Sequence, residues 1–324
     1  MIRFGILGPG KIARRFAADF HFVPNATITA VASRDSDRGQ AFAAEFGVPV
    51  VHTSYQALVR DPDVDVIYVG TPHSFHHAHA LLCLTGGKPV VCEKPLAINL
   101  KQVSEMVAAA RSNNVFFMEA MWSRFFPSTQ KALELVREGA IGEVKSMHAD
   151  FGFYSEYNPN GRVYNLALGG GAWLDVGVYP MFLTLLMLGK PDVIKAQAWL
   201  APTGADTSTS ALFGYQHGAI AHLTSSVVAN TPKHCDIVGT QGTISLLTPS
   251  HKSPEVVLAR TGEQPQHFPF PYEGTGFQYQ IAEVVRCMEA GWKESPLLPL
   301  DFSLLMAATS DEVRRQCGIR YPED

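Results

Sequence analysis

The sequence predicts an α/β fold in two parts. Residues 1–120 read as a doubly wound parallel sheet, and residues 121–324 as an α+β domain with a mainly antiparallel sheet. Three observations predict it. Short apolar runs alternate with helical patterns through the first part. Those runs are mostly continuous, as strands buried on both faces should be. After Met121 the strand-like runs follow one another with few helices between them, which suits antiparallel pairing.

Taken in order, the first-part runs are Ile2–Leu7, Ala26–Ala32, Val48–Val51, Val64–Val69, Val90–Cys92 and Val115–Met118. Between the last two, Asn99 and Gln102 form a capping-box pattern. Leu100, Val103, Met106, Val107 and Ala110 then mark a helical stripe. In the second part, Pro127–Glu138 reads as a helix ended by Gly139. Strands are expected at Val144–Tyr154, Val193–Leu200, Ser210–Tyr215, Ala219–Val228, His234–Val238 and Thr243–Leu247. Two late helices follow, one over Phe277–Ala290 and one opened by Asp301 and ended by Gly318.

Composition excludes several function classes. With 46% hydrophobic and 17% charged residues, the chain is neither disordered, collagen-like nor a coiled coil. A net charge of −4 offers no basic excess to neutralise phosphates, which argues against a nucleic-acid partner. Cys83, Cys92, Cys235, Cys287 and Cys317 are scattered with no C-x-x-C pair, so neither a zinc ribbon nor a disulfide framework is indicated. No apolar run reaches the ~18 residues that span a bilayer. The longest, near Val176–Leu188, is interrupted by Gly177 and Pro180. The N-terminus enters Ile2–Leu7 without a charged leader, so a cytoplasmic protein with no membrane partner is expected.

The first strand runs into Gly8-Pro9-Gly10-Lys11-Ile12-Ala13, a G-x-G-x-x-A turn opening a helix. Gly8 makes the tight turn, Gly10 lets backbone approach a pyrophosphate, and Ala13 permits close helix–sheet packing. The helix N-terminus, with Lys11 and Ile12, offers unpaired N–H groups to the anion. A dinucleotide cofactor is therefore expected. The second strand ends in Ser33-Arg34-Asp35, with Ser33 where an NAD enzyme usually carries a ribose-binding carboxylate. A hydroxyl and a guanidinium suit a 2′-phosphate, so NADP is expected rather than NAD. The alternative makes Asp35 the ribose acid and Arg34 a surface residue.

Gly70-Thr71-Pro72-His73 and Cys92-Glu93-Lys94-Pro95-Leu96, together with the glycine turn, resemble the glucose–fructose oxidoreductase/inositol dehydrogenase (Gfo/Idh/MocA) family. Met118–Pro127 and Gly169–Tyr179 are similar to its subgroup of dimeric dihydrodiol dehydrogenases and NADP-dependent D-xylose dehydrogenases. The resemblance covers essentially the whole chain. It implies a Rossmann domain followed by a domain with an open, mainly antiparallel sheet. It also implies a cis peptide before Pro95, and cofactor contacts from Thr71, Pro72, His73, His76, Glu93 and Lys94.

The resemblance makes Lys94 and Tyr179 the catalytic pair, with Asp175 orienting substrate. A phenol of pKa ~10 needs a nearby cation to act as acid–base at neutral pH, and Lys94 is the expected supplier. Many relatives carry histidine at the Tyr179 position. On a helix, Asp175 and Tyr179 would share one face. Trp122, Phe125, Phe151, Phe153 and Trp173 are candidate walls of a substrate cleft, with core packing as the alternative. Arg124 and Arg162 are candidate hydroxyl donors, with membership of a surface ion pair as the alternative for either. His73, His76, His77 and His79 lack a completing carboxylate set, so no metal is expected.

The expected function is an NADP-dependent dehydrogenase acting on a secondary carbinol of a small polyol, monosaccharide or trans-dihydrodiol. A non-catalytic NADP-sensing regulator and a sugar oxidoreductase with tightly held cofactor are the alternatives. A homodimer through the second sheet is expected, with Ile220, Leu223 and Val227 as partial interface; the alternative has those positions facing the domain's own helices.

Overall fold

The computed structural model describes residues 1–324 and divides into two compact units. The first holds Met1–Trp122 and Glu273–Ala307; the second holds Ser123–Tyr272 and Ala308–Asp324.

The first unit contains β1 (Ile2–Leu7), β2 (Ala26–Ala32), β3 (Val50–His52), β4 (Val66–Val69), β5 (Val90–Glu93) and β6 (Phe117–Ala120). They pair in parallel in the order β3-β2-β1-β4-β5-β6, the doubly wound arrangement expected from the sequence. Helices α1 (Lys11–Ala18), α2 (Ser36–Phe46), α3 (Tyr55–Arg60), α4 (His76–Thr85) and α5 (Leu100–Ser112) connect them. Val103, Met106, Val107 and Ala110 of α5 are buried against Val90, Cys92 and Phe117. Each large side chain so buried contributes roughly 1.5–3 kcal/mol. Asn99 caps α5 by accepting from the Gln102 amide at 3.0 Å. Gln102 reaches back one residue further than a capping box requires, to the Ile98 amide at 3.2 Å.

The expected strand starts at Val48, Val64 and Val115 lie two residues early. Val48 and Val64 are buried, so they extend the apolar run without joining the ladder. Burial and pairing are separate properties, and hydropathy reports only the first.

The second unit contains α6 (Pro127–Arg137) and α7 (Val178–Leu188). Its strands are β7 (Val144–Gly152), β8 (Val193–Leu200), β9 (Asp206–Gly214), β10 (Ile220–Ser226), β11 (Cys235–Gly239), β12 (Gly242–Leu246), β13 (Glu255–Arg260) and β14 (Gln266–Pro269). The sheet runs β14-β13-β12-β11-β7-β10-β9-β8, antiparallel throughout except for the parallel pair β10–β7. β13 and β14 extend the sheet beyond what the sequence suggested. Met147, Ala149, Leu223, Ile237, Ile244 and Leu258 face inward and are buried. Lys145, His148, Leu212, Ile220 and His222 face outward and are exposed.

That alternation corrects the expected interface. Ile220 is 48% exposed, but Leu223 and Val227 are 1% and 0% exposed and belong to the unit's own core. Leu223 lies an odd number of residues from Ile220, so the pleat turns it to the opposite face.

The segment Leu166–Leu188 is long and apolar enough by composition to cross a membrane, contrary to the expectation that no run is. However, 89% of its apolar window is buried inside the protein, the condition of a core helix.

The chain then returns to the first unit through α8 (Gln278–Glu289) and leaves it again within α9 (Leu300–Cys317). A single cut at residue 120 therefore does not describe the division. Asp19, at the end of α1, explains the return. Its carboxylate accepts from the backbone amides of Thr275 at 3.0 Å, Phe277 at 2.8 Å and Gln278 at 3.3 Å. It thereby serves as the N-terminal anion of α8.

Candidate functional site

The expected site residues form two groups, one in each unit. In the first unit, β1 ends at Leu7 and the chain turns sharply at Gly8, whose φ is +87°. The Gly8 amide donates to Ala32 O at 3.1 Å, tying the turn to the end of β2. A side chain at Gly8 would be strained by φ and would meet Thr71 Cγ2 at 2.7 Å. A Cβ at Gly10 would meet only Gly70 O, at 3.7 Å, so the backbone there faces open space. Gly10 precedes α1, and no side chain caps that helix end. Lys11 and Ile12 supply its first amides, so open donors and a positive dipole end face the space over Gly10.

This space continues into a cavity of about 400 Å³, lined among others by Gly8, Gly10, Ser33, Arg34, Arg38 and Tyr55. Thr71, Pro72, Phe75 and His79 close its other side. Ser33 Oγ accepts from the Asp35 amide at 3.2 Å. The Asp35 carboxylate caps α2 by accepting from the Arg38 amide at 3.1 Å. It also pairs with Arg38 Nε at 3.1 Å. The Arg34 guanidinium lies over the Phe75 ring, 5.7 Å from its centroid. His79 Nδ1 bonds Thr71 Oγ1 at 3.0 Å. Burial, then the Arg34 charge, holds His79 down at about 4, so it is neutral at pH 7. An adenosine fits this lining, which brings the rings of Tyr55, Phe75 and neutral His79 together with the guanidinium groups of Arg34 and Arg38. Arg38, Tyr55, Phe75 and His79 were not singled out as cofactor residues from the sequence. Arg38 was the most legible, standing one helical turn beyond the acid it pairs with.

The histidines have other duties. His76 is fully buried and bonds Thr71 O and Pro95 O, each at 2.8 Å. It braces the Thr71-Pro72 turn against the turn after β5. Burial pushes its pKa down, against the pull of those two carbonyls. His73 is buried, its ring 5.6 Å from that of His76. His77 pairs with Glu105 at 2.7 Å. No group of three His, Cys, Asp or Glu side chains is placed to hold a metal ion.

Lys94 follows β5 and is partly buried, and its bond to Pro95 is cis, as the resemblance implied. Its amide donates to Glu93 Oε2 at 3.2 Å. Glu93 is buried and accepts from Tyr68 Oη at 2.6 Å. Burial raises its pKa, while Tyr68 and Lys94 oppose the rise. On the neighbouring strand Glu119 is buried and accepts from the Leu96 amide at 3.2 Å. Burial pushes Glu119 up to about 7. The Lys94 charge thus acts on two buried carboxyl groups, Glu93 beside it and Glu119 on β6. Trp122 is stacked on Phe277 at 4.6 Å and is 4% exposed.

In the second unit, Asp175 lies inside a π-helical turn, Trp173–Gly177, that leads into α7. Tyr179 stands in the first turn of α7. The regular-helix spacing expected of this pair is therefore replaced by a wider turn, a feature common at functional sites. Asp175 pairs with Arg162 Nη2 at 2.8 Å. The Tyr179 ring packs on Phe151 at 5.2 Å and on His251 at 5.1 Å. Phe151 and His251 stack at 4.5 Å. His251 had no signal in the sequence; a turn of three residues far along the chain delivers it.

The remaining candidates separate. Arg162 lines a cavity of about 540 Å³ with Glu156, Tyr157, Asn158 and Tyr164. Phe153 packs beside Tyr164 and Val227. Arg124 and Phe125 are buried, 6% and 3% exposed. Trp173 is fully buried; its indole N–H donates to Ser310 Oγ at 3.1 Å. That places Trp173 in the core rather than on a cleft wall, because its polar edge is spent inside.

Residues 2–121 match the GFO/IDH/MocA oxidoreductase family, NAD-binding Rossmann fold. Residues 129–245 match the GFO/IDH/MocA C-terminal domain. The chain belongs to the Gfo/Idh/MocA oxidoreductase family. Within it, the trans-1,2-dihydrobenzene-1,2-diol dehydrogenase of Bos taurus is 37% identical over 336 residues, covering 100% of this chain and 99% of that protein. The Xenopus laevis enzyme of that name is 39% identical over 331 residues, covering 99% of each. KijD10, a 3-ketoreductase from Actinomadura kijaniata solved with NADP and TDP-benzene, superposes with a TM-score of 0.86 at 28% identity, covering 98% of each chain. An aldose-aldose oxidoreductase from Caulobacter crescentus shares the fold, with a TM-score of 0.88 at 24% identity over 98% of this chain and 97% of that one. This Gfo/Idh/MocA protein is accordingly an oxidoreductase whose first unit carries an NAD(P)-binding Rossmann sheet.

Proposed function

We propose that this Gfo/Idh/MocA member is an NADP-dependent dehydrogenase acting on a secondary carbinol, or the matching carbonyl, of a small polyol, monosaccharide or trans-dihydrodiol. Tyr179 carries the reading: a phenol packed on two rings, one turn beyond a carboxylate held by an arginine. Nicotinamide supplies or accepts the hydride when bound. The protein residues align the carbinol and move its proton. Tyr179 exchanges the hydroxyl proton, Asp175 orients a neighbouring hydroxyl, and Lys94 favours the developing oxyanion.

Support for NADP over NAD comes from Arg34 and Arg38 at the cavity rim, and from Asp35 being occupied as a helix cap. Support for the substrate class comes from the aromatic wall of Phe151 with His251 and from relatives named as dihydrodiol dehydrogenases. The test is absorbance at 340 nm with NADP and NAD against D-xylose, D-glucose, 1,5-anhydrofructose, inositols and a trans-dihydrodiol. Turnover with at least one of them, faster with NADP, is expected. No turnover with any would overturn the reading.

We also propose a homodimer through the outward sheet face, where Val193, Trp199, Leu212 and Ile220 are exposed. Light scattering coupled to gel filtration should give twice the chain mass, 35.3 kDa per copy. The chain mass alone would remove the proposal.

A further inference from the structure

We propose that Arg162 is a positioning residue for Tyr179: it fixes the Asp175 carboxylate and sets a permanent positive charge within electrostatic reach of the phenol. The inference rests on Tyr179 being the proton carrier. It differs from a role for Arg162 as substrate donor, because it acts through the bond that Nη2 already makes to Asp175.

Three observations carry it. Arg162 Nη2 donates to Asp175 Oδ2 at 2.8 Å, with the Asp175 side chain only 10% exposed. A carboxylate so buried needs a partner. Second, the loop bearing Arg162 is clamped to the segment bearing Asp175. The Gly170 amide donates to Asn165 O at 3.0 Å and the Gly171 amide to Val163 O at 2.8 Å. A Cβ at Gly170 would lie 2.6 Å from Arg162 O, so glycine is needed for the loop to seat. Third, the π turn and α7 are continuous, so one element carries both Asp175 and Tyr179. The Arg162 charge acts on Tyr179 as well as on Asp175.

The sign follows from the neighbours. Asp175, on Tyr179's own element, disfavours a phenolate four positions away. His251 stands 5.1 Å from the Tyr179 ring. Lys233 from the 230s loop lies over the far neighbour Phe151 at 5.5 Å from its centroid. Tyr321 is buried and reaches Asp175 electrostatically. Arg162 combines a charge that no accessible pH removes with a direct bond to Asp175. It cancels the carboxylate's repulsion and adds attraction, so the phenol gives up its proton more readily. In the oxidative direction the ionised Tyr179 oxygen would take the carbinol proton, and in reduction it would return it; a bound nicotinamide would accept or give back the C–H electron pair as hydride.

The experiment is a titration of full-length protein labelled with ¹³Cζ-tyrosine, with the Tyr179 signal assigned by its loss in Tyr179→Phe. In Arg162→Gln the phenol should titrate at least about one pH unit higher than in wild type. Arg162→Lys should recover part of that shift. Asp175→Asn, which keeps the cation and removes the anion, should move it lower. The acid limb of the kcat profile should follow the Arg162→Gln shift, with KM changed less than kcat. An unmoved signal in Arg162→Gln, or a shift in the same direction in Arg162→Gln and Asp175→Asn, overturns the inference. If Arg162→Gln does not fold, Arg162→Lys and Asp175→Asn still decide it by the sign of their difference. Absence of turnover in wild type would fail the proposed reaction instead, since the titration needs no substrate.

Discussion

The Asp35 carboxylate accepts from the Arg38 amide and pairs with the Arg38 guanidinium, both at 3.1 Å. One side chain thus starts α2 and holds an arginine at the rim of the cavity that Arg34 also lines. A carboxylate committed in this way is poorly disposed to grip a ribose hydroxyl, and the two cations beside it suit a phosphate.

Arg34→Ala and Arg38→Ala should each raise KM for NADP by roughly 10–100-fold, the worth of a charge-assisted hydrogen bond. KM for NAD should change little. Initial rates with both cofactors check this, and equal losses on the two would remove the 2′-phosphate assignment.

Tyr179→Phe should lower kcat by at least ~100-fold while leaving NADPH binding intact. Lys94→Met should abolish turnover and spare cofactor affinity to within about threefold, since the loss is of transition-state charge stabilisation. Stopped-flow turnover with fluorescence binding of NADPH separates the two quantities. Activity within about threefold of wild type in either variant would clear that residue of its role.

Asp19→Ala should destabilise the first unit by about 2–3 kcal/mol, because it leaves three amides at the start of α8 without their shared acceptor. Urea unfolding with a probe in α8 reads the change as a lower midpoint. An unchanged midpoint would show that Phe277 packing alone holds the returning segment.

Glu119 titrates at about 7 in the folded protein, against an ordinary value of 4.5. The folded state therefore binds the extra proton between those values, and stability falls as pH rises through that window. The full effect is about 3 kcal/mol, complete above pH 7. Glu119→Gln should flatten this part of the stability profile relative to wild type. Chemical unfolding at pH 4.5, 6 and 7.5 measures it, and parallel profiles in the two proteins would dismiss Glu119 as the source. Asp206, raised to about 6 by burial, contributes a slope of the same sign in both, so the comparison isolates Glu119.

The parallel sheet was legible because strands covered on both faces must be apolar at every position, which leaves an unbroken run in the sequence. The glycine turn and Lys94-Pro95 were legible because their backbone demands restrict residue type. β13 and β14 were not: β13 sits one strand from the sheet edge, and β14, at the edge, ends in Pro269 with only Phe268 half-covered. His251, and the pairing of the expected Arg162 with Asp175, escaped in different ways. His251 reaches Tyr179 through a fold-level contact 72 residues along the chain, and the Arg162–Asp175 bond spans a loop whose shape is set by backbone bonds to Gly170 and Gly171. Trp173 was legible as an aromatic but not as a core residue, since only tertiary structure shows where its indole N–H is spent.

Because Asp19 recruits residues 256–259 positions downstream, the nucleotide-binding half is a discontinuous module. A fragment ending at residue 120 would leave Phe16 without Phe277, normally 6.0 Å away, and Asp19 without its amides. Swapping cofactor preference between homologues by exchanging the N-terminal half alone should consequently yield insoluble chimeras. Transplants that also carry 273–307 give both sides of that joint the same parent.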